Sequence, residues 1–283
     1  MFKYGGMSMR PLWKGFISFG LVSIPVKLFP ATESKNISFS MLHKECAGPI
    51  HYQKHCEHCD KIVPPEEIIK GYEFSKGKYV TFSEQEMEEI SADGNRQIEI
   101  TDFVNLEEVD PIYFHKSYYI APGDGGEKPY ALLLSALKAT NRIAVAKLVL
   151  RTKENIAMLR VYHDDTIALS TIYFPNEIRN TDLLEITTDV QVKDAELDMA
   201  KMLIDTLTHP FEPEKYKDEY RQTLSEIIEK KILNEKVEYP PEKKAPSNII
   251  DLTEALKQSL EKLTKEEPKK EKSVKKKPAK SVG

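Results

Sequence analysis

The chain has 283 residues, 40% of them apolar, which suffices for one large or two small domains with a hydrophobic core. Its first residues lack the apolar core of a signal peptide, and no apolar run approaches the roughly eighteen residues that cross a bilayer. We therefore expect a cytoplasmic protein without a membrane partner, and its net charge of −4 gives no direct sign of nucleic-acid binding.

The charge is segregated along the chain. Positions 1–59 hold seven Lys or Arg and three acids (+4), positions 84–110 ten acids and one Arg (−9), and positions 265–280 eight Lys and three Glu (+5). A basic surface and an acidic one can therefore coexist, which leaves DNA binding open. Because like charges repel phosphate, we expect the acidic run to face away from bound DNA.

The first two thirds of the chain have mainly β patterns. Positions 1–9 have no periodicity and are interpreted as a disordered leader. From Arg10 the apolar residues alternate, break at Gly20 and alternate again to Leu28, which predicts a hairpin. Further strands are predicted at 71–75, 78–82, 97–104, 110–120, 143–150, 156–162 and 166–174. Many short strands separated by turns indicate a barrel or a sandwich.

Helices are fewer. Ser83 and Glu86 form a capping box that opens a short acidic helix, and Pro129 favours the first position of another. Longer amphipathic helices are predicted over 193–207 and 213–233. Their apolar stripes must pack against something, and the pattern leaves open whether this is a partner subunit or their own barrel.

The composition changes after the core, which we assign to 10–234. Positions 235–264 combine a Pro-rich linker with an amphipathic helix from Asp251 to Leu263, and 265–283 form a Lys-rich disordered tail. Such a helix is typical of a docking peptide, and the alternative is that it folds back on its own domain. The candidate docking residues are Ile249, Ile250, Leu252, Leu256 and Leu260.

All three cysteines lie in one short segment, which is no disulfide framework. Two pairs of metal-ligand type, each with two intervening residues, are separated by nine residues, a spacing that suits tetrahedral zinc. The predicted ligands of this structural zinc are His43, Cys46, Cys56 and Cys59. Possible substitutes for the histidine are His51, His55 and His58. The alternative is a set of reduced cysteines at a surface turn.

Five sequence blocks together resemble bacterial Ku proteins. They are RPLWKGFISFGLVSIPVKL (10–28), KGYEF (70–74), GKYV (77–80), VDPIYF (109–114) and FEPEKY (211–216). The blocks occur in the family's order. The resemblance implies an α+β fold with a β-barrel core, extended bridge strands and a C-terminal helical arm, followed by a disordered tail. Many family members lack the cysteines, so zinc would be a local feature.

The resemblance also implies a function. Ku of this kind is a homodimeric ring around duplex DNA that holds broken ends for non-homologous end joining and recruits the ATP-dependent DNA ligase D. A nucleoid-associated location follows. Because breaks have arbitrary sequence, contacts to phosphate from Lys and Arg should suffice, with no catalytic residue. The candidates are Lys14, Lys27, Lys35, Lys54, Lys70, Lys76, Lys78, Lys138 and Arg142.

Two rival functions remain. One is an abasic-site lyase that acts through a Lys Schiff base, and the other is a zinc-ribbon nucleic-acid module in which the metal site carries the binding. The sequence has no phosphate-binding loop, zincin helix or nucleophile elbow. His163-Asp164-Asp165 could belong to a metal hydrolase, but a hairpin turn explains it more simply.

Overall fold

A computed structural model describes residues 9–91, 96–150, 153–186, 190–236 and 252–266, which divide into two compact units, one up to Thr181 and one from Asp182. The strands are β1 Trp13–Phe19, β2 Val22–Pro30, β3 His55–Cys56, β4 Lys61–Ile62, β5 Lys70–Ser75, β6 Lys78–Phe82, β7 Gln97–Val104, β8 Phe114–Pro122, β9 Ile143–Leu150, β10 Lys153–Tyr162 and β11 Thr166–Ile172. The helices are α1 Glu84–Ser91, α2 Glu127–Thr140, α3 Asp194–Leu207, α4 Glu219–Ile232 and α5 Leu252–Glu266.

Seven strands of the first unit form a closed barrel in the order β1-β2-β8-β11-β10-β9-β7. Adjacent strands are antiparallel except where β1 closes the barrel against β7. The alternation predicted for β2 is confirmed, because Ile24, Val26 and Leu28 are at most 2% exposed and belong to the core. The expected α+β fold around a β-barrel is therefore confirmed.

Barrel closure depends on a close approach at Gly15. The amide of the next residue, Phe16, donates to the carbonyl oxygen of Arg96 at 2.8 Å. A Cβ on Gly15 would overlap that carbonyl oxygen and the ring of Trp13. A residue without a side chain is therefore required where the two ends of the sheet meet.

Helix α2 packs against one end of the barrel. Its buried residues Tyr130, Leu133 and Leu137 join the barrel core. The Tyr130 hydroxyl donates to the carbonyl oxygen of Ile120 at 2.8 Å and accepts from the amide of Ile167 at 2.8 Å. The helix begins before Pro129, which is the third helical residue rather than the predicted first. Proline is tolerated there because first-turn amides have no acceptor within the helix.

The segment between β2 and β7 forms an insertion, residues 31–96. It contains two small antiparallel hairpins, β3-β4 and β5-β6, followed by α1. The predicted turn at Lys76 and Gly77 is confirmed, since Gly77 has φ +73° and its amide donates to the Glu73 carboxylate at 2.8 Å. The capping box is confirmed too, because the Ser83 amide donates to Glu86 at 2.8 Å and Ser83 Oγ accepts from the Glu86 amide.

The strand directions give the barrel two distinct ends. We call one of them the insertion end. Strands β2 and β11 end there, and strand β7 begins there. The opposite end, the helix end, carries α2 and the β10-β11 turn. In that turn His163 has φ 49°, so the hairpin-turn interpretation of positions 163–165 is confirmed.

The second unit contains α3, α4 and α5. The predicted helix 213–233 is corrected: a single 3₁₀ turn at Pro213–Lys215 precedes α4, which starts only after Asp218 caps it by accepting from the Arg221 amide at 2.9 Å. Helix α5 packs against α3, and Thr253 Oγ1 donates to Glu196 Oε1 at 3.3 Å. Helix α5 therefore contacts another helix of its own chain, in line with the alternative that it folds back on its own domain.

Some of the predicted segments lie outside the described residues. These are positions 1–8 of the leader, the linker from position 237 to 251, and the tail from position 267. Helix α5 itself extends past the predicted end at Leu263 to Glu266. Among the residues that the structure describes, no helix combines the length and the apolar character needed to cross a bilayer.

Candidate nucleic-acid interface

Lys14 and Lys27 lie side by side on the outside of the barrel. They are register partners on β1 and β2, and their inward-pointing neighbours are core residues. Lys14 is exposed, and the Lys27 ammonium forms an ion pair with the fully exposed Asp124 carboxylate at 3.1 Å. Exposed ion pairs of this kind contribute little free energy. A phosphate could therefore replace the carboxylate at low cost.

Five further candidates lie on the insertion and are exposed. They are Lys35, Lys54, Lys70, Lys76 and Lys78. Lys35 forms an ion pair with Glu33, whereas the last three lie along or at the tip of the β5-β6 hairpin. The same hairpin exposes Tyr72 and Phe74, so it presents both cations and apolar rings to its surroundings.

The structure brings the last two candidates together at the helix end. Lys138, near the end of α2, and Arg142, just before β9, line a cavity of about 610 Å³ together with Arg160 of β10. We call this cavity the basic groove. The Lys138 ammonium contacts the Asp164 carboxylate at 3.1 Å. Three cations from separate parts of the chain therefore share one surface.

Hydrogen bonds hold Arg142 in this groove. Its Nη1 donates to Asn105 Oδ1 at 2.5 Å, and Asn105 donates through its amide nitrogens to the Glu108 carboxylate. These bonds from Asn105, with the nearby Arg142 charge, lower the pKa of Glu108. The carboxylate therefore stays charged and fixes the amide that orients the guanidinium.

The acidic run is not fully separated from these cations. Glu107, within the run, lines the basic groove. That positions 84–110 face away from bound DNA stays a prediction.

Arg160 is a cation that the sequence reasoning missed. It lies on the outward face of β10, and its guanidinium carbon is 5.5 Å from the centre of the Tyr162 ring. The strand pattern marks residue 160 as outward-pointing. Only the barrel register, however, places it beside Lys138 and Arg142.

The four predicted zinc ligands form two pairs. His43 Nδ1 lies 3.2 Å from Cys46 Sγ in a loop closed by the His43 amide, which donates to the Gly48 carbonyl oxygen at 2.8 Å. Cys56 is the last residue of β3, and Cys59 lies in the turn between β3 and β4. Hydrogen bonds from the Cys59 and His58 amides and the Cys59 thiol lower the pKa of Cys56, while the Cys56 sulfur raises that of Cys59.

Each pair has the ligand types and the local spacing that zinc prefers. The two pairs do not converge: within the described ranges, no group of three or more His, Cys, Asp or Glu side chains could hold a metal ion. His55, one possible substitute ligand, contacts the Asp60 carboxylate at 3.0 Å. The residues therefore form two half-sites.

The predicted docking residues are only partly described. Leu256 and Leu260 are half-buried on α5, the helix that packs against α3. Leu252 is the first residue of α5, and Ile249 and Ile250 lie outside the described residues. A partner would have to compete with α3 or bind the opposite face of α5.

Comparison with known proteins gives consistent matches. A family model described as the Ku70/Ku80 beta-barrel domain matches residues 18–199. A non-homologous end joining protein Ku from Heliobacterium modesticaldum is 45% identical over 271 residues, 95% of this chain and 98% of that protein. One from Bacillus subtilis is 44% identical over 262 residues (92% and 84%), and one from Symbiobacterium thermophilum is 45% identical over 253 residues (89% and 63%).

Proposed function

This chain belongs to the Ku family, and on that premise we propose that it binds the ends of double-stranded DNA, without sequence preference, in non-homologous end joining. Similarity over nearly the whole chain to proteins named for that process carries the proposal. The basic groove, with Lys14 and Lys27, offers cations for phosphate, and contacts to phosphate need no particular sequence.

The binding unit in this proposal is a homodimer that closes into a ring. The argument rests on exposed apolar side chains outside the barrel, which isolated soluble domains tend to bury. They are Tyr72, Phe74, Tyr79 and Val80 on the β5-β6 hairpin, and Leu197, Ile204, Leu207, Phe211 and Tyr216 in the second unit. A second copy presents the same residues, so a symmetric pair can cover both sets.

The proposed partner of the loaded dimer is the ATP-dependent DNA ligase D. The support is the amphipathic α5, joined to the core through a Pro-rich stretch and followed by a Lys-rich one. Such a segment can reach a partner while the core holds DNA.

We also propose that the two half-sites bind one structural zinc ion. Both half-sites carry sulfur or imidazole donors. A zinc ion bound by both would join them and so stiffen the loops that hold Cys46 and Cys56. A site with four protein ligands has no open position, so the metal would not activate water.

Binding rather than catalysis is proposed for the chain. A Schiff-base lyase needs a lysine that is uncharged near neutral pH, which desolvation commonly provides. No lysine is among the buried residues of the described part of the chain. The lyase therefore gains no support from burial.

The decisive experiment compares linear duplex with the same DNA as a closed circle. A ring cannot pass over continuous DNA, so linear duplex should compete far better, random sequences should bind alike, and blocking both ends after loading should trap the protein. Affinity should fall with salt at a log-log slope of about −0.9 per phosphate neutralised. Equal competition by circles, with free release from blocked DNA, would contradict the ring.

Paired variants assign the phosphate contacts. Replacing Lys138 and Arg142 by Gln should weaken binding uniformly across sequences and reduce the salt slope by about 0.9 for each phosphate that is no longer neutralised. The matched control is Lys128→Gln, an exposed lysine on the same helix but outside the lining of the basic groove. If the double variant keeps the same salt slope, the basic groove does not contact the DNA phosphates.

A further inference from the structure

A second cavity, about 540 Å³ in volume, lies at the helix end and is lined mainly by aromatic and apolar side chains. We call it the aromatic cavity. Its lining includes Phe29, Tyr119, Tyr130, Tyr162 and His163. Thr166 and Asp165 also line this cavity, so its wall is apolar with a few polar residues, as in most small-ligand sites.

The strand register builds this cavity on the outside of the barrel. Phe29 of β2 is opposite Tyr119 of β8, and Tyr119 is opposite Ala168 of β11. Because Ala168 is small, the Tyr119 ring reaches across β11 to Tyr162, with ring centres 5.4 Å apart and planes tilted by 33°. Both tyrosines are half-buried, so part of each ring is accessible.

The aromatic cavity lies next to the basic groove at Arg160. This residue lines the groove, and its guanidinium lies over the ring of Tyr162, which lines the cavity. Lys138 and Arg142 line the same groove. The cations of the groove and the rings of the cavity therefore meet at Arg160.

This arrangement matches the chemistry of an unpaired nucleotide. Sites for single-stranded nucleic acid combine cations that follow the phosphates with aromatic rings on which bases stack, and Arg adds a cation–π contribution. Bases inside a duplex are already stacked and cannot enter such a cavity. An apolar peptide would use the rings but has no need of the adjoining cations.

We infer that the aromatic cavity binds unpaired bases of a single-stranded overhang at a DNA end, while the basic groove holds the adjoining phosphates. This inference rests on the proposed end binding and extends it to a second, single-stranded ligand. The stacking groups are Tyr119 and Tyr162, and Arg160 joins the two surfaces.

The test compares a blunt duplex with the same duplex carrying a short thymidine overhang. The overhang should raise the affinity of the unsubstituted protein about fivefold or more, the lower end of what one base stacked on an aromatic ring contributes. Replacing Tyr119 and Tyr162 together by Leu should abolish this gain and leave blunt-duplex affinity unchanged. Tyr162→Phe keeps the ring and should keep the gain.

Phe103→Leu is the matched control, since Phe103 is an exposed ring that packs edge-on against Phe19 at 5.6 Å and is absent from the lining of both cavities. It should leave the gain intact. A 2-aminopurine base in the overhang should also lose fluorescence on binding to the unsubstituted protein, a readout that does not depend on whether a variant folds.

Two outcomes would overturn the inference: no gain from the overhang, or a gain that survives in the double leucine variant. If the double variant keeps the gain but loses ligase stimulation, the cavity is assigned to a protein partner instead. A different result would contradict the proposed end binding itself: blunt linear DNA and circular DNA would then bind equally well.

Discussion

At the scale of single residues, Tyr130 connects the helix to the barrel. Its side chain is only 6% exposed, and its hydroxyl bonds to backbone groups of two strands, β8 and β11. Burial raises its pKa. One phenol therefore hydrogen-bonds to both an amide and a carbonyl group beneath α2.

We predict that Tyr130→Phe lowers the free energy of unfolding by about 1–3 kcal/mol, because both backbone groups lose their partner. Urea unfolding measures the change. The control is Tyr72→Phe, at a tyrosine that is 67% exposed, which should be nearly neutral. Equal effects of the two substitutions would show that the buried hydroxyl contributes nothing specific.

The same residue gives a pH dependence of known sign. Since the folded state has the higher pKa, the unfolded chain releases the phenol proton first, near pH 10. The stability from Tyr130 is complete below that pH and is lost as pH rises toward the folded pKa. Alkaline unfolding of Tyr130→Phe should lack this component.

At the scale of elements, the β1-β7 contact decides whether the sheet closes. It is parallel and short, and it depends on the close approach at Gly15. We predict that Gly15→Ala destabilises the protein by about 1–3 kcal/mol or more, because the new methyl group overlaps backbone. Gly71→Ala on β5 is the control, since a Cβ there meets only ordinary contacts at 3.6 Å.

Thermal unfolding of both glycine variants, followed by circular dichroism, checks this prediction. If Gly15→Ala unfolds at the temperature of the unsubstituted protein, the closing contact is weaker than its geometry indicates.

The zinc proposal belongs to this scale as well. We expect metal analysis to find about one zinc per chain. Cys56→Ser should remove the metal, lower the thermal unfolding temperature and loosen positions 50–69 while leaving dimerisation intact. Lys61→Ser, on the neighbouring β4, is the control. Unchanged zinc content and stability in Cys56→Ser would rule the site out.

Local patterns predicted much of the fold because they depend on neighbouring residues. The alternation from Ile24 to Leu28, the Gly77 turn and the Ser83 capping box were all predictable. Contacts between strands that are distant in the sequence were not predictable. Tyr119 and Tyr162 meet only through the register with Ala168, and no pattern in either strand encodes that register.

At the scale of the whole molecule, the C-terminal region should separate partner binding from DNA binding. We predict that deletion from Pro246 onward preserves dimerisation but abolishes ligase stimulation, because α5 is lost. Deletion of only 266–283 should instead weaken DNA binding and reduce its salt slope, since the Lys-rich stretch adds phosphate contacts. If ligase stimulation survives the larger deletion, the ligase docks on the core of the protein and not on α5.

The order of strands around the barrel also constrains how the chain folds during synthesis. Val26 of β2 pairs with Pro122 of β8, so roughly a hundred residues must be made between them, about 5–20 s at ribosomal rates. During that interval the first hairpin is complete, but its inner row, Ile24, Val26 and Leu28, has no sheet to pack against. We therefore expect the nascent chain to expose an apolar hairpin for several seconds, a state that chaperones at the ribosome are suited to bind.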